Sequence, residues 1–175
     1  YEIGSCIGGL WVFDNDNGLS PAYDSLHLNS EARVTAYKDF PFLQGSPLYP
    51  DHRQVREYLE AYAEKFGITP HIRFRSRVTE VAQAGAGRWR VSLVDGSSAE
   101  FDAVVVGSGH QGMPAHPGWR HDFTGEYLHS HSYRIPEPFR GKRVLVVGMG
   151  NSAVDIAADI CVVTKSTTLS ARSPV

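Results

Sequence analysis

The feature that most constrains this chain lies near its end, where an apolar run from Lys142 to Val147, expected as a buried strand, enters Gly148-Met149-Gly150-Asn151-Ser152-Ala153. Ser152 to Val162 continues with a helical pattern, and Thr167 to Ala171 follows as the next strand. This order predicts a β-α-β unit with parallel strands joined through a helix. Gly148-x-Gly150-x-x-Ala153 is a dinucleotide fingerprint in its Ala-ended form. The first glycine permits the tight turn, the second lets a pyrophosphate approach the backbone, and small Ala153 lets helix and strand pack closely. The helix N-terminus, at Asn151 and Ser152, then faces the phosphates. The strand before and the helix after are the context the motif requires; a purely structural glycine turn is the competing reading.

The end of the second strand discriminates between nicotinamide cofactors. An Asp or Glu there would accept hydrogen bonds from the ribose 2′-hydroxyl and repel a 2′-phosphate. The chain instead has Ser170-Ala171-Arg172-Ser173. Arg172 offers a planar cationic fork and the serines offer hydroxyl donors, all suited to phosphate oxygens. NADPH is therefore favoured over NADH, against the reading of Arg172 as an ordinary solvated arginine.

The beginning of the chain suggests a second nucleotide. Glu2 precedes Gly4 and Gly8-Gly9-Leu10-Trp11. An acid in that position makes sense as the ribose-binding carboxylate ending the second strand of another β-α-β unit, whose glycine loop would lie about 20 residues upstream. Further along, Phe101 to Val106 is an apolar run entering Gly107-Ser108-Gly109, expected as a strand buried on both faces. Together these features suggest a flavoprotein with two dinucleotide sites.

Between these landmarks, residues 1–50 are rich in Gly, Pro, Asn and Asp and read as loop. Asp51 and Gln54 form a capping-box pair ahead of Val55, Tyr58, Leu59, Tyr62 and Phe66, and Gly67 sits at the C-cap. That aromatic face is expected to pack a helix on the sheet. Trp89, Val91 and Leu93 alternate with polar residues before an Asp95-Gly96 turn, an antiparallel signal. Residues 110–142 return to loop. They contain His110, His116, His121, His129 and His131, which follow no familiar metal-ligand spacing, so structural roles are preferred to a metal site. Cys161 is expected as a buried small hydrophobe in the helix, and Cys6 has no C-x-x-C partner.

Composition narrows the classes. Seventeen Lys+Arg against 19 Asp+Glu give a net charge of −2, which offers no footprint for nucleic acid. The longest apolar runs are far too short to span a bilayer. Two cysteines make no disulfide framework, which favours a reducing, cytoplasmic compartment. The start, Tyr-Glu-Ile-Gly, has neither an initiator Met nor a signal-peptide pattern, so a missing beginning is expected.

Phe123-x-Gly125-x-x-x-His129-x-x-x-Tyr133-Arg134 resembles the identifying motif of flavin-containing monooxygenases, and the resemblance extends over nearly the whole chain. Glu2 with Gly8-Gly9-Leu10-Trp11 resembles the FAD-binding segment. Tyr23-Asp24-Ser25-Leu26 through Asn29, with Asp39-Phe40-Pro41, resembles the segment of the catalytic asparagine. Tyr49-Pro50-Asp51-His52 resembles the start of the helix that follows, and Gly141-Lys142-Arg143-Val144 through Asp155-Ile156-Ala157 resembles the NADPH unit. There are departures: Gly107-Ser108-Gly109 stands where the family usually has Ala-Thr-Gly, and His27-Leu28-Asn29-Ser30-Glu31-Ala32 replaces the commoner Thr-Asn-x-Pro-Lys-Glu. Tyr133 stands where Baeyer–Villiger relatives usually carry Trp, which favours heteroatom oxygenation.

The resemblance implies an α/β flavoprotein with two dinucleotide-binding domains, made of Rossmann-like βαβ units with a small antiparallel β insertion and truncated at both ends. Residues 1–140 would be a partial FAD-binding domain with a β meander and linker, and residues 141–175 a partial NADPH-binding Rossmann domain. It implies Glu2, Gly8, Gly9, Leu10, Trp11 and Gly109 on the FAD side. Gly148, Gly150, Asn151, Ser152, Ala153, Ser170 and Arg172 would serve NADPH. Asn29 is the catalytic residue it implies, since an amide both donates and accepts without a titrating charge; a turn-capping Asn is the ordinary alternative. The implied reaction reduces FAD with NADPH, captures O₂ as a C4a-hydroperoxyflavin and passes one oxygen to a soft nucleophile, an amine nitrogen or a sulfide. The alternatives are a non-catalytic nucleotide-binding remnant and a Baeyer–Villiger-type ketone monooxygenase. A flavin disulfide reductase is disfavoured because the paired redox cysteines are absent. A homo-oligomer is compatible with the sequence, which does not specify it.

Overall fold

A computed structural model describes residues 1–172. The first fifty residues are loop with two short helical pieces: a single 3-10 turn at Gly9–Trp11, and α1, Ala32–Thr35. Helix α2, His52–Lys65, begins as its sequence requires. The Asp51 side chain accepts from the N–H groups of Arg53 and Gln54, and Gln54 reaches back to the Asp51 N–H. Gly67, with a φ of 63°, ends it in the left-handed conformation.

Three antiparallel strands follow in order: β1, Val78–Gly85; β2, Arg88–Leu93; and β3, Ser98–Phe101. Val91 and Leu93 of the alternating stretch are buried, as their period-2 pattern demands. The Asp95-Gly96 turn joins β2 to β3, with the Gly96 N–H donating to Leu93 O at 3.0 Å. Strand β1 carries register shifts between Val78 and Glu80 and between Gln83 and Gly85, which break the period-2 alternation that marks β2 in the sequence.

Residues 102–142 carry only 3-10 turns before β4, Arg143–Val147, α3, Asn151–Ile160, and β5, Ser166–Ser170. Strands β4 and β5 pair in parallel, with Val147 opposite Ser170, so the expected β-α-β unit is present. The core joins distant parts of the chain: Tyr23, Tyr133, Ile156 and Ile160 are buried together, flanked by Leu26, Phe139, Val144 and Val146.

Four expectations need correction. Residues 103–109 are not a strand: Val105 is 94% exposed and Val106 77%, and no strand among the described residues pairs with them. Hydrophobicity marks a segment suited to burial, but a strand also needs a neighbour to take its hydrogen bonds. Strand β4 is likewise covered on one side only. Val144 and Val146 face the core, whereas Leu145 and Val147 are 61% and 56% exposed, because α3 covers one face of the two-stranded sheet and β5 only extends its edge. The aromatic face of α2 packs on loop rather than on the sheet. Tyr58 stacks on Phe42 with centroids 4.0 Å apart and Tyr62 lies 4.6 Å from Tyr37, with Phe40 between them. Finally, Cys161 is exposed, since α3 stops at Ile160 and the thiol falls on its solvent side.

Candidate functional site

The glycine turn after β4 takes the shape its residues dictate. Gly148 has a φ of 125°, which L side chains rarely adopt, and its N–H donates to Ser170 O at 2.9 Å. A Cβ there would lie 3.8 Å from the Ala153 Cβ, so strand and helix do approach closely at the position reserved for a small residue. Gly150 is the N-cap of α3, with ordinary φ and ψ of −75° and 170° and nothing within 4 Å of where a Cβ would sit. No side chain caps this helix, and among the described residues the N–H groups of Asn151 and Ser152 have no acceptor. Free donors beside open space at a ten-residue helix N-terminus fit a phosphate group. Ser170 and Arg172 lie at the end of β5, both exposed, next to this turn through the Gly148–Ser170 hydrogen bond. Ser173, the second serine of that group, lies outside the described residues.

At the other end, the Glu2 carboxylate accepts from the Gly4 N–H at 2.7 Å. Gly8 has a φ of 127°, and a Cβ there would lie 2.7 Å from a Val12 methyl and 3.2 Å from Arg56 Cγ. Packing within the chain therefore accounts for Gly8 by itself. The turn after it is held by Asn15 Nδ2 donating to Gly9 O at 3.0 Å and by Ser20 Oγ donating to Leu10 O at 2.9 Å. Gly109 is exposed, with a φ of 72° and open space around it.

A cleft of about 420 Å³ brings several of these pieces together. Leu10 and Trp11 line it from the N-terminal turn, Leu28 and Asn29 from the following loop, Met113 and His129 from the linker, and Asn151 and Ser152 from the start of α3. Glu2, Gly8, Gly9 and Gly109 are not part of its lining, nor are Gly148, Gly150, Ala153, Ser170 and Arg172. Asn29 is exposed to the cleft, and among the described residues its amide has no hydrogen-bond partner. Asn15 and Asn17 behave differently, bonding the backbone two residues on, which is the ordinary fate of a loop Asn.

The resembling motif at Tyr133-Arg134 supports this arrangement from below. The Arg134 guanidinium donates to Ser20 O at 3.1 Å and to its own chain at His131 O at 2.8 Å, and the Asp24 N–H donates to Arg134 O at 2.9 Å. Tyr133 Oη donates to Asp159 and Tyr23 Oη to Asp155, both on α3. Burial, and then these carboxylates, hold both phenols protonated above the usual tyrosine range. His129 Nδ1 accepts from the His131 N–H at 3.1 Å, and burial followed by neighbouring His116 and His131 keeps its pKa below the ordinary value. Among the described residues no group of three or more His, Cys, Asp or Glu side chains is arranged to hold a metal ion, and no helix is long and apolar enough to cross a membrane.

The sequence pattern missed the roles of Tyr23, Asp155 and Asp159. The available signal was two acids four residues apart, each directly before a core isoleucine, Ile156 or Ile160.

Residues 1–175 match the flavin-binding monooxygenase-like family along their whole length, and the chain belongs to that family. Mouse dimethylaniline monooxygenase 4, described as N-oxide-forming, is 38% identical over 99% of this chain and 33% of its own length. Human flavin-containing monooxygenase 3 is 37% identical over 99% of this chain and 35% of its own. The chain thus spans about a third of these curated relatives. Among solved structures, S-allyl-L-cysteine S-oxygenase from Allium sativum superposes with a TM-score of 0.88 at 32% identity, over 99% of this chain and 45% of its own. Tmm from Pelagibacter superposes with a TM-score of 0.87 at 28% identity, over 96% and 42%.

Proposed function

We propose that this chain forms the meeting place of the two cofactors in an NADPH- and FAD-dependent monooxygenase that oxygenates a soft nucleophile, an amine nitrogen or a sulfide. The observation that carries the proposal is the cleft itself, where the amide of Asn29 and the start of α3, both without a side-chain partner among the described residues, lie on one wall system with Leu10 and Trp11. The relatives named for N-oxide formation and S-oxygenation supply the substrate class. An oxidized steroid monooxygenase bound to NADP, 28% identical to this chain with a TM-score of 0.68, supports the second nucleotide.

Bound FAD and NADPH would supply hydride transfer and O₂ activation. The chain's own residues have simpler tasks. Gly150 leaves room for a pyrophosphate, and the N–H groups of Asn151 and Ser152 donate to it, helped by the positive end of the α3 dipole. Arg172 and Ser170 receive the 2′-phosphate beside that turn. Asn29 orients the reacting groups by donating and accepting at one site, without a charge that titrates. Leu10, Trp11 and Met113 present apolar surface that excludes water from the cleft. On the FAD side, Glu2 would hold the ribose while Gly9 and Gly109 leave the backbone open, and Gly8 would shape the turn through its close packing on Val12 and Arg56. Residues 1–140 then serve FAD and residues 141–175 serve NADPH. Cys6 and Cys161 are both free thiols, in keeping with a reducing, cytoplasmic setting that fractionation of the whole protein would check.

The test is oxygen transfer in the whole protein carrying this chain. With NADPH, isotopically labelled O₂ and a tertiary amine or thioether, one labelled oxygen should enter the N-oxide or S-oxide for each NADPH consumed. Label arriving from water, or a ketone being converted to an ester instead, would overturn this reading.

A further inference from the structure

Three side-chain hydrogen bonds tie the Asn29-bearing segment and its supporting motif to one side of α3. Asp155 Oδ2 accepts from Tyr23 Oη at 3.1 Å. Asp159 Oδ2, one helical turn on, accepts from Ser25 Oγ at 2.8 Å and from Tyr133 Oη at 2.5 Å. The two tyrosine rings meet edge to face with centroids 5.5 Å apart, buried with Ile156 and Ile160. Helix packing alone does not call for acids here, because a carboxylate beside a core is costly unless donors meet it. The segment from Leu19 to Asn29 has no regular structure of its own, and its two ends are held by different partners. Toward Asn29, the Leu28 N–H donates to Pro50 O and the His52 N–H to Leu26 O, which fastens that end to the start of α2. Toward Ser20, the fastenings are Arg134 and the two α3 carboxylates.

We propose that Asp155 and Asp159 are positioning residues that, through Tyr23, Ser25 and Tyr133, set the distance between Asn29 and the N-terminus of α3, and so the register of the two cofactors. Asp155 also lines the cleft, next to Tyr23 and below Asn151 and Ser152 on the same helix, so a change in the tie reaches the cleft wall directly. The proposal rests on the functional reading above, and its test has one arm that does not depend on turnover.

That arm is amide hydrogen exchange in the whole protein without nucleotide. D159A removes two ties, those from Ser25 and Tyr133, and should speed exchange at Asp24 and Leu26 at least about tenfold. Leu28 and His52, fastened to the α2 side, should stay within about twofold. D159N, whose carbonyl oxygen accepts both hydroxyls, should restore the protection. The second arm is coupling: D159A should at least double the share of NADPH electrons released as peroxide, with the KM for NADPH within about twofold, and D159N should recover most of the loss. If D159A does not fold, S25A and Y23F decide the matter. Ser25 is exposed, and each substitution removes one tie while keeping the carboxylates. Exchange unchanged at Asp24 and Leu26, or raised equally at Leu28 and His52, would overturn the proposal, as would faster exchange with an unchanged peroxide share. A wild-type protein that makes no oxygenated product would instead sink the functional reading, and the exchange arm would still decide the positioning.

Discussion

Gly150→Ala separates a ligand's need for a glycine from the fold's need for one. The backbone at Gly150 suits any residue, and a Cβ there meets nothing within 4 Å. Losing a glycine N-cap costs about 0.5–1 kcal/mol relative to Ala, while the reduced entropy of the unfolded chain returns about 0.4–1 kcal/mol. Net stability should therefore stay within about 1 kcal/mol of the wild type. Gly148→Ala is the contrasting case, because a φ of 125° strains any L residue by about 1–3 kcal/mol even though space is available. If a pyrophosphate occupies the space in front of Gly150, the new methyl group stands where phosphate oxygens must sit. The account then expects G150A to weaken NADPH at least about tenfold, about 1.4 kcal/mol, with the unfolding transition nearly unmoved. The assay pairs thermal unfolding of the nucleotide-free whole protein with an NADP⁺ titration. Unchanged affinity in G150A would refute the assignment of this turn as the phosphate site. A loss of stability equal to that of G148A would refute the geometric argument.

Other consequences follow from the same geometry. Arg172→Ala should weaken NADPH about tenfold or more and leave NADH nearly unchanged, and equal losses would remove the 2′-phosphate role. Asn29→Ala should keep NADPH oxidation while diverting electrons to peroxide; unchanged coupling would exclude Asn29 from the chemistry. Tyr23 and Tyr133 stay protonated in the folded state above the ordinary tyrosine range. The unfolded chain loses those protons above about pH 10, so stability present below that pH should fall as pH rises, by up to about 1.4 kcal/mol per unit for each phenol. Tyrosinate absorbance should then show Tyr23 and Tyr133 ionising only as the protein unfolds. Normal titration of both in a folded protein would contradict this.

What was legible in the sequence was local. Asp51, Gln54 and Gly67 bound α2 because capping depends on residues within four positions of one another. Asp95-Gly96 and the Gly148 turn depend on backbone conformations that few residues adopt. The 103–109 stretch failed because apolar composition carries no information about whether a strand lies alongside, and Cys161 failed because apolar neighbours do not say which side of a helix meets the core: Ile156 and Ile160 take that side, and Cys161 faces away from it. The cleft was legible only in part. Asn29 and the Gly150 turn carry recognisable motifs, but the ties from Tyr23 to Asp155 and from Ser25 to Asp159 span 132 and 134 residues, beyond any periodicity. Those long-range bonds are what bring two separately readable motifs to one cleft.

The most direct test of the central claim is the visible spectrum of the whole protein, recorded before and after NADPH is added without oxygen. Flavin bands that survive gel filtration and bleach much faster with NADPH than with NADH are what the account predicts. A protein that retains no flavin, or whose flavin ignores NADPH, would contradict it.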